Sequence, residues 1–73
     1  DPRTYSVYGW LLRATEKAML IKVEEVEGKK VEPIADHWFP KTQIIDYVVS
    51  ESETEYDQFT VKHWIMAERG LVK

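Results

Sequence analysis

The sequence predicts a mainly β fold. The expected form is a small, partly open antiparallel β-barrel, SH3-like or OB-like, of about four to five strands with one short C-terminal helix. Three observations carry the prediction. Aromatic and β-branched residues alternate at period two in runs separated by Gly, Pro and charged turns. Gly9 lies inside the first run, where a small barrel needs a bulge or a bend. Helical spacing of apolar residues is found only near the C-terminus, before Gly70.

The first strand is expected over residues 5–13. Tyr8, Trp10 and Leu12 share one of its faces, and Val7, Gly9 and Leu11 share the other. A turn at Ala14-Thr15-Glu16-Lys17 leads into a second strand over 18–24, where Met19, Ile21 and Val23 alternate with Ala18, Leu20 and Lys22. Both faces are largely apolar, which implies a sheet curled or covered on both sides.

Glu27-Gly28-Lys29-Lys30 is a turn, and a short strand resumes near Val31. Pro33 donates no hydrogen bond, so this segment belongs at an edge or in an irregular connection. Asp36-His37-Trp38-Phe39 reads as a short aromatic strand stopped by Pro40, whose ring also biases Phe39 to an extended conformation. Lys41-Thr42-Gln43 is a helical turn, followed by a strand over Ile44–Val49. Residues 50–57 form a hairpin loop or frayed strand ends, and 58–61 a last strand. Thr60 is the expected N-cap of a helix over 61–69 with Gly70 at its end. Val61, Trp64 and Ile65 form its buried stripe, and Leu71 supplies the apolar contact that closes the cap.

Length and composition narrow the function classes. The chain has 73 residues, with ten basic and thirteen acidic side chains and no cysteine. This is one domain, 1–73, and it buries only about 60% of the surface its unfolded chain exposes. Without cysteine there is no disulfide or thiolate cluster, and a core this small favours self-association as a homo-oligomer. No apolar run approaches the ~20 residues of a membrane span and no signal peptide is recognisable, so a cytoplasmic protein is expected.

Charge is unevenly laid out. Residues 1–23 carry a balance of +2, from Arg3, Arg13, Lys17 and Lys22 against Asp1 and Glu16. Residues 46–57 carry −5, with five acidic side chains and no basic one. If that stretch is extended, Glu51, Glu53, Glu55 and Asp57 line one face as an acidic comb. A charged edge that blocks sheet aggregation accounts for the comb more simply than a binding site does.

Catalysis is not expected. The two histidines, His37 and His63, fall short of the three or four ligands a zinc site needs, so no metal and no cofactor is expected. Ser6, Ser50 and Ser52 lack a nucleophile signature, and three isolated glycines make no phosphate loop.

Nine aromatic residues in so short a chain are more notable. Trp38 and Phe39 are adjacent, so on a strand one of them must leave the core. Exposed rings interleaved with basic residues suit single-stranded nucleic acid, although rings that simply fill a small core are the commoner case.

The stretch Trp38-Phe39-Pro40-Lys41-Thr42-Gln43-Ile44, followed by Val61-Lys62-His63-Trp64-Ile65-Met66-Ala67-Glu68-Arg69-Gly70-Leu71, resembles small proteins and terminal domains of phages and mobile elements. Their pattern is an aliphatic strand, Trp-aliphatic-Pro-Lys-Ser-Gln-Ile, then a terminal Val-x-x-Trp-x-Ala-x-x-x-Gly-Leu helix. Thr15-Glu16-Lys17-Ala18-Met19-Leu20-Ile21 fits the first strand of that pattern, so the resemblance runs from about Thr15 to Leu71. Phe39, Thr42, Met66 and the acidic insert between Val49 and Gln58 depart from it. The resemblance implies an infected bacterial host and a non-enzymatic accessory role in replication or recombination. Physically, the turn is first a stability motif: Trp38 anchors in the barrel, Pro40 ends the strand, Thr42 caps the turn, Gln43 serves open backbone groups and Lys41 faces outward.

The leading expectation is a domain that binds single-stranded nucleic acid. Arg13, Lys17, Lys22 and Lys41 would contact phosphates, and Tyr8, Trp10 or Phe39 would stack on bases. The alternative is a protein-interaction module, an adaptor or inhibitor, acting through Glu51, Glu53, Glu55 and Asp57.

Overall fold

Five antiparallel strands form one sheet in the computed structural model, which describes residues 2–73. The elements are β1 (Thr4–Ala14), β2 (Ala18–Val26), β3 (Lys29–Pro40), a 3-10 turn (Lys41–Gln43), β4 (Ile44–Val48), β5 (Asp57–Lys62) and α1 (His63–Glu68). The sheet order is β3-β2-β1-β5-β4. The first three strands are a meander, and β5 returns across the chain to pair with β1 from Thr4↔Lys62 to Gly9↔Asp57. β3 and β4 are the two edges of a sheet that is open in its hydrogen bonding.

Turn chemistry explains the two hairpins. In the first, the Thr15 N–H donates to the Ala18 carbonyl (2.8 Å) and the Thr15 hydroxyl accepts the Ala18 N–H (3.1 Å). In the second, Glu27 and Gly28 both have positive φ, 53° and 79°, as a two-residue turn matching strand twist requires. Glu27 is held in this region by double pairing with β1. Its N–H donates to the Ser6 carbonyl (2.8 Å), and its carboxylate accepts the Ser6 N–H (2.9 Å).

Gly9 marks the expected bulge. The β1–β2 register jumps from Tyr8↔Glu25 to Gly9↔Val23, leaving Glu24 as the extra residue. A Cβ at position 9 would lie 1.8 Å from the Lys22 carbonyl oxygen, so no side chain fits there. β3 is irregular in a different way. Lys30 faces Glu25 and Ala35 faces Val23, so residues 31–34, Pro33 among them, have no partner on β2, while Val31 packs against the core. The expectation that Pro33 sits on an edge or in an irregular connection holds on both counts, and the strands near Val31 and His37 are one edge strand.

The core lies on one face of the sheet. Val7, Met19, Ile21, Val23, Phe39, Phe59 and Val61 point to it, and Ile65 and Met66 of α1 close over them. Burial of each such side chain contributes about 1.5–3 kcal/mol. Among the described residues no helix covers the other face, so of the two ways expected to bury both faces, curling or covering, a covering helix is not the one used.

The helix also begins later than its sequence suggests. Thr60 is not an N-cap but a β5 residue opposite Ser6 and Asp46; the N-cap is Lys62, with no side-chain cap bond. Ladder pairing with β1 continues to Lys62 and holds the chain extended until Thr4 is reached. The buried stripe shifts accordingly. Val61 is buried through strand alternation with Asp57 and Phe59, Ile65 and Met66 are buried on α1, and Trp64 is exposed. The C-terminal cap is as expected: Gly70 has φ 72°, the Gly70 N–H donates to the Ala67 carbonyl, the Leu71 N–H donates to the Met66 carbonyl, and Leu71 packs against the core.

Candidate nucleic-acid interface on the open face of the sheet

Strand register builds this surface in rows. Arg13 of β1 lies opposite Leu20 of β2, which lies opposite Trp38 of β3. Two residues along, Trp10 lies opposite Lys22, which lies opposite Asp36. Tyr8 follows, between Glu25 of β2 and Gln58 of β5. Since Met19, Ile21 and Val23 fill the core face, Leu20 and Lys22 must point the other way, and their cross-strand neighbours with them. Three aromatic rings on two strands, Tyr8, Trp10 and Trp38, therefore share a face with Arg13 and Lys22.

Lys17 and Lys41 extend the basic end of this face. The Lys41 N–H donates to the Lys17 carbonyl at 2.8 Å, so both cationic side chains leave from adjoining backbone, and both are exposed. Arg13 is exposed at the same hairpin. The opposite end is acidic. The Glu24 carboxylate accepts hydrogen bonds from the Trp10 indole N–H and the Tyr56 hydroxyl, and the Trp10 and Tyr56 rings meet edge to face at 5.4 Å. Desolvation, together with the Glu24 and Glu25 carboxylates, raises the Tyr56 pKa above its ordinary value and keeps it a hydrogen-bond donor. A cleft of about 360 Å³ opens beside them, lined by Glu24, Lys30, Val31, Glu32, Ile34 and Tyr56.

Two residues assigned to ligand contact from the sequence are elsewhere. Phe39 is completely buried in the core and cannot stack on a base. Its neighbour Trp38, expected as the core anchor, has the outward position and is 40% exposed. The pairing Met19↔Phe39 settles which of the two rings turns inward. Asp57 is not part of an acidic comb either. It is 5% exposed, and its carboxylate accepts the N–H groups of Leu11 and Ser50, each at 2.8 Å. Glu51, Glu53 and Glu55 are exposed, but on a tight turn rather than along a strand. That turn is organised by short polar side chains: the Ser52 N–H donates to the Ser50 hydroxyl, and the Ser52 and Thr54 hydroxyls share a hydrogen bond. The 3-10 turn, in the same way, has no side-chain cap from Thr42.

Sequence reasoning missed Trp38, Glu24 and Tyr56 as members of this surface. The signal for Trp38 was its adjacency to Phe39; nothing local to Glu24 or Tyr56 marks their pairing, which depends on the bulge at Glu24. Among the described residues no cluster of three or more His, Cys, Asp or Glu is arranged to hold a metal ion, and no helix is long and apolar enough to cross a membrane. Comparison with known proteins returned no match: no family model, no curated protein and no solved structure is significantly similar to this chain.

Proposed function

We propose that this is a non-enzymatic binding domain whose ligand is single-stranded nucleic acid, held on the open face of the sheet. The supporting observation is the row geometry itself: Trp38 and Trp10 each share a cross-strand row with a basic residue, Arg13 in one and Lys22 in the other. Base stacking on exposed rings tolerates any sequence, and cations beside them take the phosphates. Trp38 takes the stacking role first given to Phe39, alongside Tyr8 and Trp10. Arg13, Lys17, Lys22 and Lys41 supply charge. The sheet is best regarded as a partly open barrel, because Phe39 of β3 and Phe59 of β5, three strands apart in the order, belong to one core. The resemblance of the Trp38–Ile44 and Val61–Leu71 stretches to phage and mobile-element domains fits an accessory role in a bacterial cytoplasm.

Fluorescence anisotropy of a labelled single-stranded oligonucleotide, at low and at physiological salt, tests this reading. Affinity is expected to fall with a log–log slope of about −0.7 per phosphate contacted. Trp38→Ala is expected to weaken binding about tenfold, the worth of one stacked base. Absence of binding at low salt, or binding indifferent to salt, refutes it.

A protein partner is the second reading, favoured by the exposed Glu51, Glu53 and Glu55 on a turn that Asp57 and three hydroxyl side chains preorganise. An organised acidic knob loses little entropy on meeting a basic surface. Replacing all three glutamates with Gln would abolish partner capture on this reading and leave oligonucleotide binding intact.

A further inference from the structure

The two edges of the sheet are guarded very differently. Along β3, Pro33 lacks an N–H, residues 31–34 are unpaired with β2, and Lys29, Lys30, Glu32 and Asp36 are all exposed. These are the devices by which natural sheets refuse a further strand. β4 has fewer of them. Its edge reads Ile44-Ile45-Asp46-Tyr47-Val48, followed by Val49, with no proline and no lysine. Ile45 is 55% exposed and Val48 63% exposed, and Tyr47 and Val49 are exposed beside them. Asp46, which accepts the Tyr47 N–H at 2.8 Å, and a register irregularity at Ile45 protect this edge at its start.

We propose that β4 is a homodimerisation edge, on which the β4 strand of a second copy of this chain pairs antiparallel. The charge layout around the strand selects that occupant. Lys41 lies on the N-terminal flank of β4, with Lys17 against its backbone, and Glu51, Glu53 and Glu55 lie on the C-terminal flank. Antiparallel pairing about a two-fold axis brings the N-terminal flank of each copy to the C-terminal flank of the other. The contact is thus self-complementary at both ends. With Tyr47 on the axis, Asp46 faces Val48 and avoids a second Asp46, and the 3-10 turn that carries Lys41 comes to the same end of the contact as the acidic 51–55 turn of the other copy. A parallel arrangement would instead stack lysine on lysine and glutamate on glutamate. The main-chain bond to Asp46 is exchanged for a bond to the second strand, and a sheet of ten strands results. This assembly leaves the outward rings on β1 and β3 clear, and of the basic side chains proposed for phosphate contact it draws on Lys41, with Lys17 beside it.

Sedimentation velocity over about 1 μM to 1 mM tests the proposal, a range suited to a contact of modest area. The wild-type chain is expected to pass reversibly from monomer to dimer within it. Ile45→Lys with Val48→Lys, both at exposed positions, is expected to leave a monomer with unchanged far-UV circular dichroism. Lys41→Glu is expected to weaken the dimer about fivefold or more at low salt, and adding Glu53→Lys is expected to restore it. A wild-type chain monomeric throughout, a double-lysine variant that dimerises normally, or failure of the charge swap to restore association would overturn the proposal. Sedimentation without oligonucleotide reads the dimer alone, so these outcomes leave the anisotropy test of the nucleic-acid reading to stand or fall by itself.

Discussion

The two faces of this sheet are made from the same strands, and often from adjacent residues, yet they obey different rules. On the inner face, Val7, Ile21, Val23, Phe39, Phe59 and Val61 are at most 1% exposed and α1 presses Ile65 and Met66 onto them. On the outer face, Tyr8, Trp10, Leu20 and Lys22 are only half-buried, and Leu12 and Trp38 are exposed. A single step along β3, from Trp38 to Phe39, crosses from one regime to the other. Large apolar side chains in a small β protein are therefore not all packing. The inner ones specify the fold, and the outer ones are free to meet something else.

The contrast can be broken most severely at Gly9, where the β2 backbone leaves no room for a side chain. A methyl group there would overlap the Lys22 carbonyl, so Gly9→Ala is expected to cost about 4 kcal/mol or more, read as loss of the urea transition or failure to fold. The adjacent pair of rings measures the contrast directly. Phe39→Ala should cost about 3–4 kcal/mol in urea unfolding, and Trp38→Ala less than about 1 kcal/mol. Equal losses at the two positions would show that the outer face is structural after all.

A smaller effect is expected at Asp57, which joins β5 to the Leu11 and Ser50 backbones. Asp57→Ala leaves two N–H groups unmet and should cost about 2–3 kcal/mol, with Asp57→Asn milder. The smallest concerns pH. His37, half-buried beside Phe39, has its pKa held below the ordinary 6.5 by burial and by the Arg69 cation, with Asp36 opposing. As pH falls below 6.5 the unfolded chain takes up a proton that the folded chain resists, so stability declines with falling pH until the lowered folded pKa is passed. The slope in the urea midpoint should shrink in His37→Gln. An unchanged slope would assign it to another group.

Much of the fold was legible because it depends on local pattern. The alternation in β1 and β2, the bulge at Gly9, the turn at Glu27-Gly28, the strand stop at Pro40 and the Gly70 cap all follow from neighbours in sequence. What was not legible depends on distant partners. Thr60 looks like a helix cap until Ser6 is known to pair with it, and only then does the ladder override the cap. Trp38 and Phe39 are equal candidates for the core until Met19 faces one of them. Asp57 belongs to an acidic run by sequence, but folding carries it 46 residues back along the chain to the Leu11 N–H. The candidate surface was half legible for the same reason. Its cations and two of its rings were evident, whereas the third ring and the Glu24–Tyr56 pairing required the register.

The pairing of β1 with β5 also has a consequence for how the protein is made. Of the five strands, the central β1 is synthesised before the others, whereas its neighbour β5 is synthesised after them. The β1–β2–β3 meander can form early, but the Thr4–Gly9 edge that will receive β5 stays open until residues 57–62 emerge. During that interval Val7 and its neighbours offer a bare, apolar strand to any other nascent chain. Closing it joins residues 48 to 58 apart in the chain, the slow kind of contact for a small domain. The interval before β5 is made is thus when this topology leaves its central strand bare on one side.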